Sequence, residues 1–236
     1  VQSDNMKKKI AILQSNYIPW KGYFDLISFV DEFILYDDVQ FTKNDWRNRN
    51  KIKTPDGLKW LTIPVISAGK SSQKINETQI YSNNWMQKHW KSLSFNYGKA
   101  KYFDEISSWL EPIYSKKNYM NISELNRTFI LAINDYLGIN TVISNSLDYD
   151  LINGQSERLI SLCNQAGASE YVSGPSAKNY LNEELFQKGD INVVWFEYKD
   201  YPEYSQLWGE FNHNVSILDL LFNTGKESSK YMRYVK

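Results

Sequence analysis

The sequence predicts an α/β fold: a Rossmann-like, mostly parallel sheet flanked by helices, with a β-hairpin and a helical insertion. Three observations predict it. Within the first forty residues an apolar run, a turn-rich loop, a helical stretch and a second apolar run follow one another, the strand–helix–strand opening of a parallel sheet. The same alternation resumes after residue 140. Between the two lie a Pro-Asp-Gly turn and three stretches of helical periodicity, which read as additions to the sheet.

Taken in order, residues 8–13 are a short apolar run after charges and form the first strand. Residues 15–20 are a turn-rich loop, residues 22–30 a helix, and residues 33–36 a second buried strand. Thr54-Pro55-Asp56-Gly57 joins the extended stretches 47–53 and 58–65 as a hairpin, because Pro presets the turn and Asp-Gly supplies its corner. Helical periodicity marks 85–97, 102–114 and 122–137, a helical subregion spanning about 83–138. Strand 141–144, helix 156–166, strand 171–173, helix 177–186 and strand 191–196 restore the alternation. A last helix covers 217–222, with Ser216 and Asp219 in the Ser-x-x-Asp capping pattern and Gly225 as its stop. Residues 6–236 are expected to form a single α/β domain, with Met6 a natural start and residues 1–5 a disordered or expression-derived tail.

A chain of 236 residues, 42% apolar and 23% charged, buries a substantial core. No apolar run reaches membrane-spanning length, and no charged-then-apolar leader is present, so a cytoplasmic protein with no membrane span is expected. The single cysteine, Cys163, fits a reducing compartment and lies in an apolar helical pattern as a buried structural residue. Basic and acidic residues balance at 27 each, which argues against a general nucleic-acid binder. The 17 Tyr and 8 Trp suit either a core with polar tips or a cleft that stacks on sugars or bases.

Candidate site residues concentrate between Gln14 and Arg49. In open α/β sheets ligands bind at the loop after a strand, where helix N–H groups point. That loop here offers amides on Gln14 and Asn16, a charge on Lys21, and the aromatic faces of Tyr17, Trp20 and Tyr23. Its layout is similar to the nucleotidyltransferase-type fold, whose His-x-Gly-His pattern is replaced here by Trp20-Lys21-Gly22-Tyr23. Both histidines are missing, so the likeness speaks to the layout and not to adenylyl transfer. Asp37 and Asp38 end the second strand, followed by Gln40; neighbouring side chains on an extended chain point opposite ways, so one carboxylate, Asp38, is expected in the site as a base. Beyond Lys43 and Trp46, an extended stretch would put Arg47, Arg49, Lys51 and Lys53 on one face around Asn48, a row of cations suited to an anion. His89 and His213 are the only side chains with an ordinary pKa near neutrality and are candidate catalytic groups. Ser173 and Gly174 close a strand and open a helix, where free N–H groups could hold a carboxylate or phosphate. No ligand-spaced cluster points to a metal.

Read together, Gln14 to Phe24, Asp37-Asp38-Val39-Gln40-Phe41, Trp46-Arg47-Asn48-Arg49, Leu61-Thr62-Ile63-Pro64, Tyr171-Val172-Ser173-Gly174 and Ser216 to Asn223 with Gly225 resemble the WbqC-like protein family. The likeness spans about residues 10–225; Ser15 stands where that family's pattern leads one to expect proline. The resemblance implies an association with O-antigen, lipopolysaccharide or other surface-polysaccharide biosynthesis. It implies an amide-forming transferase that adds a glycyl or related acyl group to a nucleotide-linked amino sugar. The acyl donor is unassigned, no cofactor is firmly implied, and ATP or an activated acyl donor is compatible with the layout; the oligomeric state is open. A nucleotidyl- or adenylyl-transferase and a non-catalytic sugar-nucleotide-binding module are the alternatives.

Overall fold

The computed structural model describes residues 7–116 and 118–236, so the expectations for residues 1–5 and for Met6 fall outside it. Its strands in chain order are β1 (Lys9–Leu13), β2 (Glu32–Leu35), β3 (Arg49–Thr54), β4 (Gly57–Thr62), β5 (Val142–Asn145), β6 (Glu170–Ser173) and β7 (Asn192–Trp195). The helices are α1 (Lys21–Phe29), α2 (Asn84–Tyr97), α3 (Phe103–Ser115), α4 (Ile122–Leu137), α5 (Ser156–Gln165), α6 (Glu183–Lys188) and α7 (Ile217–Thr224). Five strands form one sheet in the order β5-β2-β1-β6-β7, with every pairing parallel, and β3 and β4 pair separately as an antiparallel hairpin. The strand order reverses between β1 and β6, the doubly wound arrangement in which ligands bind beyond the strands' carboxyl ends.

The period of two sorts the strand residues between two cores. Ile10, Ile12, Ile34 and Tyr171 pack with Leu159, Leu162, Cys163 and Phe186 on the side of α5 and α6. Ala11, Phe33, Leu35 and Val172 face the larger core, shared with α1, α2, α3, α4 and α7. A one-residue slip would exchange the two sets, which fixes the register. Each fully buried Leu, Ile or Phe contributes roughly 1.5–3 kcal/mol. Cys163 is buried, and desolvation pushes its thiol up to about 12, so it stays protonated and inert.

Caps set the element ends. Asn121 accepts from the Glu124 N–H at 2.9 Å to start α4, and Gly138 ends it in the left-handed region at φ 70°. Ser216 likewise accepts from the Leu218 N–H at 3.2 Å at the start of α7. Asp219 does not complete that cap; it turns into the core, where Tyr97, Tyr204 and Gln206 donate to it. The helix expected over 177–186 is instead a 3₁₀ turn, Pro175–Asn179, and then α6, restarted by Asn182 accepting from the Leu185 N–H.

Two further features position the site. Residues 196–216 form neither helix nor strand, a length of irregular chain that compact domains usually reserve for function. This strap lays Tyr198, Tyr201, Tyr204, Phe211 and His213 alongside α1 and its preceding loop. The buried Asp25 of α1 accepts from the Tyr201 hydroxyl at 2.9 Å and from the N–H groups of Arg233 and Tyr234 at 3.0 and 2.6 Å.

Candidate functional site

The loop leaving β1 is pinned on every side. Ser15 donates to Asp37 from its N–H at 2.8 Å and its hydroxyl at 2.6 Å, and Ser123 of α4 donates to the same carboxylate. The Tyr17 N–H donates to Trp46 O at 3.0 Å, and the Ile217 N–H to Pro19 O at 2.8 Å. The Asn50 amide donates to the carbonyls of Tyr17 and Ile18 at 3.1 and 3.0 Å. These bonds hold Ile18 at φ 37°, a left-handed conformation that a β-branched residue adopts only when its surroundings impose it, at a cost of about 1–3 kcal/mol.

Between this loop, the hairpin and the strap lies a cavity of about 430 Å³, lined by Asn16, Trp20, Trp46, Asn50, Lys51, Asn214 and Val215. Two indoles, three amides and one ammonium make a wall suited to a sugar, with ring faces to stack on and amides to bond hydroxyls. Arg47 donates to the Asn16 side chain and also meets Asp45 at 3.4 Å, so it orients Asn16 from behind.

Lys21 follows Trp20, and His213 precedes Asn214. The Lys21 Nζ and His213 Nδ1 stand 2.5 Å apart. Lys21 is only 3% exposed, and its ammonium lies over the rings of Tyr201, Tyr204 and Phe211 at 5.1, 5.5 and 5.6 Å. Desolvation lowers its pKa to about 8, opposed by the nearby Asp219 carboxylate. His213 is lowered too, by partial burial first and then by the Lys21 charge. Burial thus brings the Lys21 amine, with an imidazole nitrogen beside it, toward the pH range in which an amine serves as a general base.

Several expected site residues lie elsewhere. Asp38 does not reach the cavity: it accepts from Ser146 at 2.6 Å and from the Arg158 guanidinium at 2.8 Å, buried beside β5 and α5. Asp38→Ala takes the carboxylate from that arginine and is expected to lower stability by about 3 kcal/mol, read from urea unfolding, without changing ligand affinity at the cavity. His89 is buried between Tyr17 and Thr62. The Thr62 carbonyl accepts from its Nε2 at 3.0 Å, so its Nδ1 accepts from the Tyr17 hydroxyl at 2.8 Å. Desolvation lowers its pKa to about 4 and keeps it neutral, which suits a structural imidazole. Tyr17 and Tyr23 are buried as well, and Tyr23 donates to the Gln14 carbonyl at 2.9 Å.

The row of four cations is divided. Arg47 sits in the turn before β3 and Lys53 is buried against Gln206 and Glu210, so of the four only Arg49 and Lys51 share a partly exposed face, over Trp60. Lys43 and Gln40 are exposed, and Gln40 donates to Ser71 O at 2.7 Å. Asn48 is buried and donates to Ile63 O at 2.9 Å. Ser173 is buried, and Tyr198 of the strap covers Gly174, where an added Cβ would lie 3.4 Å from its ring. The cavity described above lies instead toward the hairpin. Among the described residues no three His, Cys, Asp or Glu side chains stand close enough to hold a metal ion.

Sequence reading missed Asn50, Asn214 and the ring of Tyr201, Tyr204 and Phe211. Asn50 was open to inference, since it alternates with Arg49 and Lys51 and so points inward. The strap residues carry only a faint sign, the three-residue spacing of Tyr198, Tyr201 and Tyr204.

The sequence profile of the WbqC-like protein family matches residues 14–231. The uncharacterized protein Rv1507c of Mycobacterium tuberculosis is 57% identical over 229 residues, which cover 97% of this chain and 99% of that protein. No solved structure matches the chain. No helix among the described residues is long and apolar enough to cross a membrane.

Proposed function

The chain belongs to the WbqC-like protein family, and from that premise we propose that it is an amide-forming transferase, adding a glycyl or other acyl group to a nucleotide-linked amino sugar in the cytoplasm during bacterial surface-polysaccharide biosynthesis. The observation that carries this reading is the Lys21–His213 pair, 2.5 Å apart and adjoining in sequence two residues of the cavity wall. Amide formation requires a group that takes a proton from the attacking amine, and the Lys21 amine, lowered to about 8, reaches its accepting form in a growing fraction of molecules as pH rises toward 8. The sugar amine attacks the acyl carbonyl carbon, the new C–N bond forms, and the leaving group departs with its electron pair. The proton released from nitrogen passes to the deprotonated Lys21 amine, which the His213 imidazole holds in place. Trp20 supplies a stacking face for the sugar ring, and Asn16, held by Arg47, orients a hydroxyl.

The reading is tested by incubating the protein with uridine- and thymidine-diphosphate amino sugars and either acyl-coenzyme A donors or glycine with ATP. Mass spectrometry should find an N-acylated sugar nucleotide. Release of pyrophosphate from ATP and acid without an amide would favour adenylyl transfer instead. Binding of the sugar nucleotide with no turnover on any donor would leave a binding module. Because the base acts deprotonated, kcat/KM should rise with pH through about 8 and level off above it; a rate that falls across that range would exclude Lys21 as the base.

A further inference from the structure

The outer face of the hairpin extends the cavity wall at Trp46 and Lys51 with two residues the sugar reading leaves unused, Trp60 and Arg49. Trp46 and Trp60 are 41% and 38% exposed, large apolar faces at the surface, with ring centroids 5.4 Å apart. The Arg49 guanidinium lies 3.9 Å from the Trp60 centroid, and the Lys51 ammonium lies 4.7 Å from Trp60 and 6.0 Å from Trp46. Arg49 is fixed there by donating to the Asn44 carbonyl at 2.5 Å, while its buried Nε has no hydrogen-bond partner. Among the described residues neither Arg49 nor Lys51 is in an ion pair. Trp46 and Lys51 also line the cavity, so the two surfaces are continuous.

Solubility alone accounts for one lysine at a sheet edge. It does not account for two unpaired cations stacked against two exposed indoles. Planar π-faces bind aromatic rings, and a fixed guanidinium beside an ammonium binds neighbouring phosphates. We propose that Trp46, Trp60, Arg49 and Lys51 form a subsite for the nucleoside-diphosphate half of the ligand, the base stacking on the indoles and the diphosphate bridging Arg49 and Lys51. The sugar then enters the cavity past Trp46. This deepens, and rests on, the sugar-nucleotide reading of the cavity. The diphosphate contacts alone would equally suit a lipid-linked sugar; the paired indoles favour a nucleoside.

The test is calorimetric titration with uridine, thymidine and guanosine diphosphates and with inorganic pyrophosphate, in the absence of sugar and acyl donor. The nucleoside diphosphates should bind on the order of tenfold or more tighter than pyrophosphate. Trp46→Leu and the double variant Arg49→Gln/Lys51→Gln should each weaken them by about tenfold or more, and Trp60→Leu should quench less indole emission on binding. All these side chains are partly exposed, so thermal melts should show the variants folded. Lys21→Met should bind the nucleotides as wild type does, which separates this subsite from the reaction: nucleotide binding without amide formation would sink the transferase and keep the subsite. Equal affinity for pyrophosphate and nucleotides, no binding of any nucleotide, or unchanged affinity in the folded Trp46→Leu and Arg49→Gln/Lys51→Gln proteins would overturn the proposal.

Discussion

Lys21→Met is expected to lower kcat by about 10²–10⁴ while raising the melting temperature. The loss follows from removing the proposed base, an amine whose pKa lies near 8 with a histidine nitrogen 2.5 Å away. The gain follows from the same burial. Below pH 8 the native protein keeps a charge in an enclosure of tyrosine and phenylalanine rings, and a depression from 10.5 to about 8 corresponds to ~3 kcal/mol at ~1.4 kcal/mol per unit. Partial solvent access on the His213 side reduces that to about 1–2 kcal/mol. The sign is definite: between pH 8 and 10.5 the unfolded chain binds this proton and the folded chain does not, so stability rises with pH across that window. Below pH 8 the penalty is present in full. Lys21→Met should erase the slope, and Lys21→Arg, always charged, should restore neither turnover nor stability. A methionine variant that retains turnover within about tenfold would remove Lys21 from the mechanism.

The second large effect is on folding. Asp37→Ala should lower stability by about 3–5 kcal/mol, out of the 5–15 kcal/mol typical of a native protein. It strips a partner from the Ser15 N–H and from the hydroxyls of Ser15 and Ser123, all buried, and frees the loop that carries Asn16 and Trp20. Asp37→Asn keeps the shape and an acceptor for the Ser15 N–H, since both serine hydroxyls can turn to accept; its cost should be about 1 kcal/mol. The urea midpoint should therefore fall far for alanine and little for asparagine at a constant m-value. Equal falls would mean that shape, not hydrogen bonding, is what Asp37 supplies.

These two residues mark where sequence reasoning succeeds and where it stops. The α/β class was legible because periods of two and 3.6 are local: Ile10 and Ile12 alternate with Ala11, and Ile122, Leu125, Phe129 and Ile133 share one helical face. Alternation also sends Asp37 and Asp38 to opposite sides, and the structure has them so. What it cannot tell is that both sides are interior, because the partner of Asp38 is 120 residues away on α5. The Lys21–His213 pair spans 192 residues and draws on a strap that forms neither helix nor strand. The loop Gln14 to Trp20 could be picked out by its density of amides and aromatics. Which of its side chains face the cavity depended on Asn50, Trp46 and Ile217, each holding a different carbonyl or N–H of the loop.

The tie between Asp25 and the N–H groups of Arg233 and Tyr234 has a consequence for synthesis. Tyr234 lies 209 residues beyond Asp25, so at about 5–20 residues per second a nascent chain holds α1 for roughly 10–40 s before its clasp leaves the ribosome. During that time the Asp25 carboxylate keeps its hydration and the helix cannot seal. A chain interrupted before Arg233 would keep every strand of the sheet and an unsealed first helix. Such a product would be marked for proteases by the same contact that completes the finished protein.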